Sequence, residues 1–196
     1  MRKKQTSRRI GILGGLFDPP HIGHLIIAQA VLEEFSLDTI LFVPAGNPPH
    51  KSRYSPYTVR YAMTARAIKN NKNFDVSDIE NRISGKTYTI DVIRRLKKMS
   101  RGTLHLIMGS DQWSEIKTWR APHALLRECT IIVVPRTGYR IRKGNHPRRT
   151  ILVSGAPRID ISSTLIRKRV RERRSIQYLV TPGVYTYIKE HKLYQK

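Results

Sequence analysis

Acidic residues are scarce in this sequence: 14 Asp and Glu stand against 37 Lys and Arg, a formal charge of +23. That imbalance disfavours a cationic substrate and attracts polyanions. Cysteine is nearly absent. Cys129 stands alone, which excludes an intrachain disulfide. It reads as a small buried residue ahead of the apolar run 131–134, and a reducing compartment fits. No apolar stretch approaches the ~20 residues of a membrane-spanning helix. The basic start (Arg2, Lys3, Lys4, Arg8, Arg9) leads into IGILGGLFDPP. Glycines, an aspartate and prolines break that segment too often for a signal-peptide core. We therefore expect a soluble, cytoplasmic protein without membrane partners. Internal repeats and low-complexity tracts are missing, which excludes fibrous and disordered classes.

What is present is a regular alternation of apolar patterns. Residues 8–13 read as a short buried strand. Residues 24–35 read as a helix, with Leu25, Ala28, Val31, Leu32 and Phe35 at helical spacing. A second strand over 39–43 completes a βαβ unit. Ser55-Pro56 reads as an N-cap and first-turn proline opening a helix over 57–69. The remainder predicts a weak strand at 74–79, a helix at 89–99 and a strand at 103–108. Helical material at 112–127 is interrupted by Pro122, and strands follow at 130–134 and 150–153. Helices at 163–172 and 182–190 close the chain. Residues 1–7 form a basic tail and 136–149 a basic flexible loop. The length fits one domain over 1–196. This order argues an α/β fold, a mostly parallel sheet with helices on both faces. Ligands of such sheets bind beyond the carboxyl ends of the strands, where strand order reverses. That rim gathers residues 14–24, 44–51 and 109–111, with 154–164 as a further candidate.

The first of these segments, GGLFDPPHIGH, carries chemistry. Gly14 and Gly15 directly follow a strand and allow positive φ and close approach of a ligand. A helix beginning near Gly23 aims its amides and its positive dipole end at the same place, which makes an anion site. His21 and His24, three residues apart at the helix entrance, can both donate to phosphate oxygens. Zinc is the competing chemistry, but a third ligand is lacking, since His50 lies far along the next loop. Ser162, Ser163 and Thr164 begin another helix, where these residue types make either an ordinary N-cap or a second cradle of amides and hydroxyls. Arg167 lies over the same turn. Other nucleotide signatures fail. No GxGxxG follows a strand, and Gly85-Lys86-Thr87 has Glu80 where a Walker A loop needs glycine.

With these residues in view, the chain resembles the HxGH nucleotidyltransferase superfamily, and within it the bacterial nicotinate mononucleotide adenylyltransferases. Besides GGLFDPPHIGH, the resemblance is carried by Gly46-Asn47-Pro48-Pro49-His50-Lys51, Thr87-Tyr88-Thr89 with Asp91, Gly109-Ser110-Asp111 with Trp119, and Ile161-Ser162-Ser163-Thr164 with Ile166-Arg167. It implies a Rossmann-like sheet of nucleotidyltransferase type. It also implies adenylyl transfer from ATP to nicotinate mononucleotide in NAD biosynthesis, by direct in-line attack without a covalent enzyme intermediate. Mg2+ would arrive with ATP, held by phosphates and water. The resemblance places Gly14, Gly15, Leu16, Phe17, His21, Gly23, His24, Asp111, Ile161, Ser162, Ser163, Thr164 and Arg167 at ATP, with His21, His24 and Arg167 catalytic. Lys51, Thr89, Trp119 and Arg120 would take the mononucleotide, Trp119 by stacking on its ring. Asp18 either touches the metal's water shell or stabilises the turn. The family has a small hydroxyl residue where Leu16 stands, so a side-chain contact is lost there. Thirteen Lys and Arg between Arg136 and Arg174 face only Asp160 and Glu172. This excess fits a phosphate-bearing substrate, solvated surface, or nucleic acid held by charge alone; an oligomer stays open.

Overall fold

The computed structural model describes residues 7–49, 53–100, 102–139, 150–152 and 155–195. Six strands form one sheet: β1 (Arg9–Gly15), β2 (Thr39–Pro44), β3 (Phe74–Val76), β4 (Thr103–Gly109), β5 (Thr130–Val134) and β6 (Thr150–Leu152). The order is β3-β2-β1-β4-β5-β6, and every pair is parallel. Order therefore reverses between β1 and β4, whose carboxyl ends are Gly15 and Gly109.

Both faces are covered, so the strands read as nearly continuous apolar runs whose alternate residues enter different cores. Ile132 and Val134 of β5 join Ile40 and Phe42 of β2 under α1 (Ile22–Glu34) and α2 (Tyr57–Ile68). Ile131 and Val133 join Ile10, Ile12, Leu104 and Leu106 on the other face. There they meet Ile90, Ile93 and Leu96 of α3 (Thr89–Met99) and Leu125 and Cys129, in and just after α5 (Pro122–Glu128). Cys129 is buried, as expected for a small apolar residue. At Gly11, mid-way along β1, the side-chain ends of neighbouring residues fill the space that a Cβ would take. A Cβ there would stand 2.6 Å from Ile40 Cδ1 and 2.9 Å from Leu37 Cδ1.

Several local expectations change. The helix read from 24 begins at Ile22. Ser55 does not cap α2; Pro56 occupies the N-cap position and the Ser55 backbone is engaged elsewhere. The strand at 74–79 stops at Val76, and Ile79–Arg82 form a 3-10 turn. Helical material at 112–127 is three pieces: α4 (Ser110–Ser114), a 3-10 turn Ile116–Thr118, and α5, entered through Ala121 at φ +51°. Helices α6 (Ser163–Arg171) and α7 (Pro182–Glu190) pack on α2 through Met63, Ile166, Val184 and Ile188. Most of the 136–149 loop lies outside the described residues, as does most of the 1–7 tail.

Candidate active site

β1 ends at Gly15, and the chain turns through residues 16–21 into α1. The left-handed residue of this turn is Phe17, at φ +51°, and neither Gly14 nor Gly15 has positive φ. Glycine at 15 answers a steric need instead: a Cβ there would press on the Phe17 ring at 3.0–3.4 Å. That ring is 1% exposed and lies edge-on beneath His24, with centroids 5.0 Å apart. The Phe17 side chain thus supports His24 and does not face a ligand. Beside Gly14 the space is open, with nothing within 4 Å of a Cβ position.

The two imidazoles stack, with centroids 3.7 Å apart and planes 28° from parallel. The His21 N–H donates to His24 Nδ1 at 3.1 Å. A neutral ring that accepts at Nδ1 carries its proton on Nε2, so His24 keeps an Nε2–H donor in a ring that lines the site's cavity. Burial pushes His24 well below the ordinary histidine range, and His21 and Arg136 push the same way. His21 falls to about 4, through burial first and the Arg136 charge second. Both rings are neutral hydrogen-bonding groups near pH 7. The glycine between them leaves room for the stack: a Cβ at 23 would lie 3.1 Å from His21 Nδ1 and push that ring by a few tenths of an ångström. The helix end is less open than its sequence suggested. Ile22 N–H already donates to Leu179 O, and His24 N–H to His21 O, both at 2.9 Å.

Across the turn sits the start of α6. Ser162 caps it, accepting from Leu165 N–H at 3.1 Å, an arrangement that does not use its own hydroxyl proton. Ser163 does not keep its proton, since its hydroxyl donates to Pro19 O at 2.8 Å. Arg167 donates to Asp18 O at 2.7 Å and to Thr164 Oγ1 at 3.3 Å. Two of its five N–H groups thus fix its place and the others stay available. Asp18 has the turn-stabilising role. Its carboxylate is 2% exposed and accepts from Ser55 N–H and the Tyr194 hydroxyl.

β4 delivers the facing wall. A Cβ at Gly109 would collide with Asp111 Oδ1 and stand 2.7 Å from Arg136 Nε, so with any larger residue these side chains would have to draw back from the strand end. Arg136 pairs with Asp111 at 3.5 Å, and its N–H donates to Ser110 Oγ at 2.9 Å. It was expected in a free loop and instead belongs to the site. A cavity of about 310 Å³ opens between these walls, and His21, Gly23, His24, Asp111, Ile161 and Ser162 all line it. Gly14, Gly15, Leu16, Ser163, Thr164 and Arg167 stand outside its lining, as do Thr89, Trp119 and Arg120. Thr89 opens α3, and Trp119 and Tyr88 both pack against the core. Arg120 lies 4.6 Å from the Tyr88 ring centroid. Lys51 lies outside the described residues.

Three residues of this neighbourhood escaped the sequence reading. Arg60, wholly buried, donates to Leu16 O at 3.0 Å and to Ser55 O at 2.9 Å. Its signal was a charge in helical phase with buried Met63 and Thr64. Glu80 accepts from Gly46 N–H at 2.9 Å, stitching the loop after β2 to the 3-10 turn, and burial raises its carboxyl pKa. Tyr194 carried no local signal. Among the described residues no three His, Cys, Asp or Glu side chains converge as a metal cluster.

The cytidylyltransferase-like family pattern matches residues 12–169. A probable nicotinate-nucleotide adenylyltransferase of Thermoanaerobacter is 43% identical, covering 98% of this chain and 97% of its own. The chain belongs to the nicotinate-nucleotide adenylyltransferase family. Another such adenylyltransferase, from Thermus thermophilus, is 38% identical over 95% of this chain and all of its own. The fold is shared more widely. The nicotinic acid mononucleotide adenylyltransferase of Plasmodium falciparum, solved with NaAD, superimposes with a TM-score of 0.83 at 23% identity, over 95% of this chain and 97% of that one. The adenylyltransferase departure at Leu16 has a structural reading: this residue contributes its carbonyl, gripped by Arg60, and not a side-chain contact.

Proposed function

We infer that the chain transfers the adenylyl group of ATP to nicotinate mononucleotide, giving the deamido dinucleotide and pyrophosphate for NAD biosynthesis. The observation that carries this is the stacked His21–His24 pair at a cavity shared with Asp111 and Ser162, on the rim between β1 and β4. A phosphate oxygen of the mononucleotide attacks the α-phosphorus, the bond to the bridging oxygen of the β-phosphate breaks, and pyrophosphate leaves with the electron pair. A covalent enzyme intermediate is not needed. The protein positions two polyanions and stabilises shifting charge. His24 donates Nε2–H to the α-phosphate. It acts as a hydrogen-bond donor and not as a proton-transfer acid, because burial keeps it neutral. Ser162 and the free N–H groups of Arg167 receive the leaving pyrophosphate. Asp111 accepts from ribose hydroxyls. Thr89, Trp119, Arg120 and Lys51 serve the nicotinate mononucleotide.

Mg2+ enters on ATP, held by phosphates and water; the occupied Asp18 carboxylate fits that reading. The chain works as one cytoplasmic domain, and no described helix is long and apolar enough to cross a membrane. The test supplies ATP, Mg2+ and either nicotinate or nicotinamide mononucleotide, and reads pyrophosphate release. Release with the nicotinate form is expected, and His24→Ala should lower kcat by ~10²–10³. No release with either mononucleotide would sink the assignment.

A further inference from the structure

Two charged side chains sit in the interior without contacting the cavity. Asp18 is 2% exposed and Arg60 is fully buried. Burying such groups is costly unless they are paired and hydrogen-bonded, so where their bonds go identifies what they hold. Asp18 Oδ1 accepts from the Tyr194 hydroxyl at 2.6 Å and Oδ2 from Ser55 N–H at 3.1 Å. Arg60 donates through Nη1 to Leu16 O and through Nε to Ser55 O. The rings of Tyr54 and Tyr57 flank its guanidinium at 5.0 and 5.6 Å. Every one of these bonds ends on the turn after β1 or on Ser55, which precedes α2. Three remote segments meet there: the turn, α2 and the chain's last residues, with 176 positions separating Asp18 from Tyr194.

Phe17, between the two gripped residues, is the left-handed one. A non-glycine residue keeps that conformation only where its surroundings over-determine it. Pinning the Leu16 carbonyl to Arg60 also fixes the Phe17 N–H, which points the opposite way across a planar trans peptide. The Phe17 ring in turn supports His24. Resting on the adenylyl-transfer reading, we propose that Arg60, Asp18 and Tyr194 form a buried brace that positions the phosphate turn and, through Phe17, the His24 ring. They are positioning residues and touch no substrate. Packing alone would also hold the tail, since Leu193 and Ile188 join the α2–α7 core. The hydroxyl of Tyr194 can therefore be removed without detaching the segment.

The experiment compares wild type with Tyr194→Phe and Arg60→Lys, measuring kcat, KM for ATP and for nicotinate mononucleotide, and folded fraction by circular dichroism at the assay temperature. Tyr194→Phe should lower kcat per folded molecule by about 5- to 10-fold, with both KM values within twofold. Arg60→Lys keeps the charge but loses the two-pronged grip, and should lose at least as much kcat. A merely structural brace would lower the thermal midpoint and leave kcat per folded molecule intact. If both variants fold and keep kcat within twofold of an active wild type, the brace is refuted and the activity reading survives. An inactive wild type overturns both.

Discussion

At the scale of residues, the neutrality of the histidine pair has a consequence for stability. The unfolded chain protonates His21 near pH 6.5, whereas the folded chain resists until about 4. A folded-state pKa below the unfolded one means that stability is complete above about 6.5 and is lost as pH falls toward 4. For His21 alone the loss by pH 5 is about 2 kcal/mol. Denaturant midpoints between pH 7.5 and 5 should fall accordingly, and His21→Asn should flatten that slope; equal slopes in both proteins would contradict the assignment. Much of the site was legible at this scale. His21, His24, Asp111 and Ser162 converge as their motifs implied, because strand ends and helix starts carry those motifs to one rim. What was not legible was the partner of each polar atom. Nothing local says that Ser163 spends its proton on Pro19, that Phe17 and not a glycine takes positive φ, or that Arg136 closes over Gly109.

At the scale of elements, α6 docks on the turn through Ser163 and Arg167, and Ser162 caps it. Ser162→Ala removes the cap and should cost about 1 kcal/mol. In a chain of this size that is a thermal midpoint roughly 2–4 °C lower. The same substitution removes a hydroxyl from the cavity, so the rate should fall as well; an unchanged midpoint would deny the capping role. Helical spacing identified α1, α2, α3 and α7 nearly to their ends, since one buried stripe repeats along each. The capping signal failed at Ser55, whose backbone N–H is held by Asp18 and whose carbonyl is held by Arg60, while Pro56 takes the N-cap position. Helical spacing failed between Ser110 and Glu128, where Ala121 enters the left-handed region and splits the segment. Strand order lay beyond reach, because alternation shows which residues are buried and not which strand lies alongside.

At the scale of the whole molecule, the chain carries +23 and its proposed substrates are two polyanions. Raising ionic strength from about 0.05 to 0.5 M shortens the screening length several-fold. KM for both nucleotides should rise and kcat should change little, since steering acts on encounter. A KM indifferent to salt would show that the field does not reach the cavity mouth. Binding of tRNA or duplex DNA should be weak and steeply salt-dependent, as charge alone requires. The bond between Tyr194 and Asp18 also bears on synthesis. A nascent chain emerges from the ribosome amino end first, so β1 and its turn are exposed long before the phenol that props them. The finished geometry therefore forms only once Tyr194 has emerged, 176 positions behind Asp18, and a product terminated before that residue, even one that packs its sheet, would lack that prop.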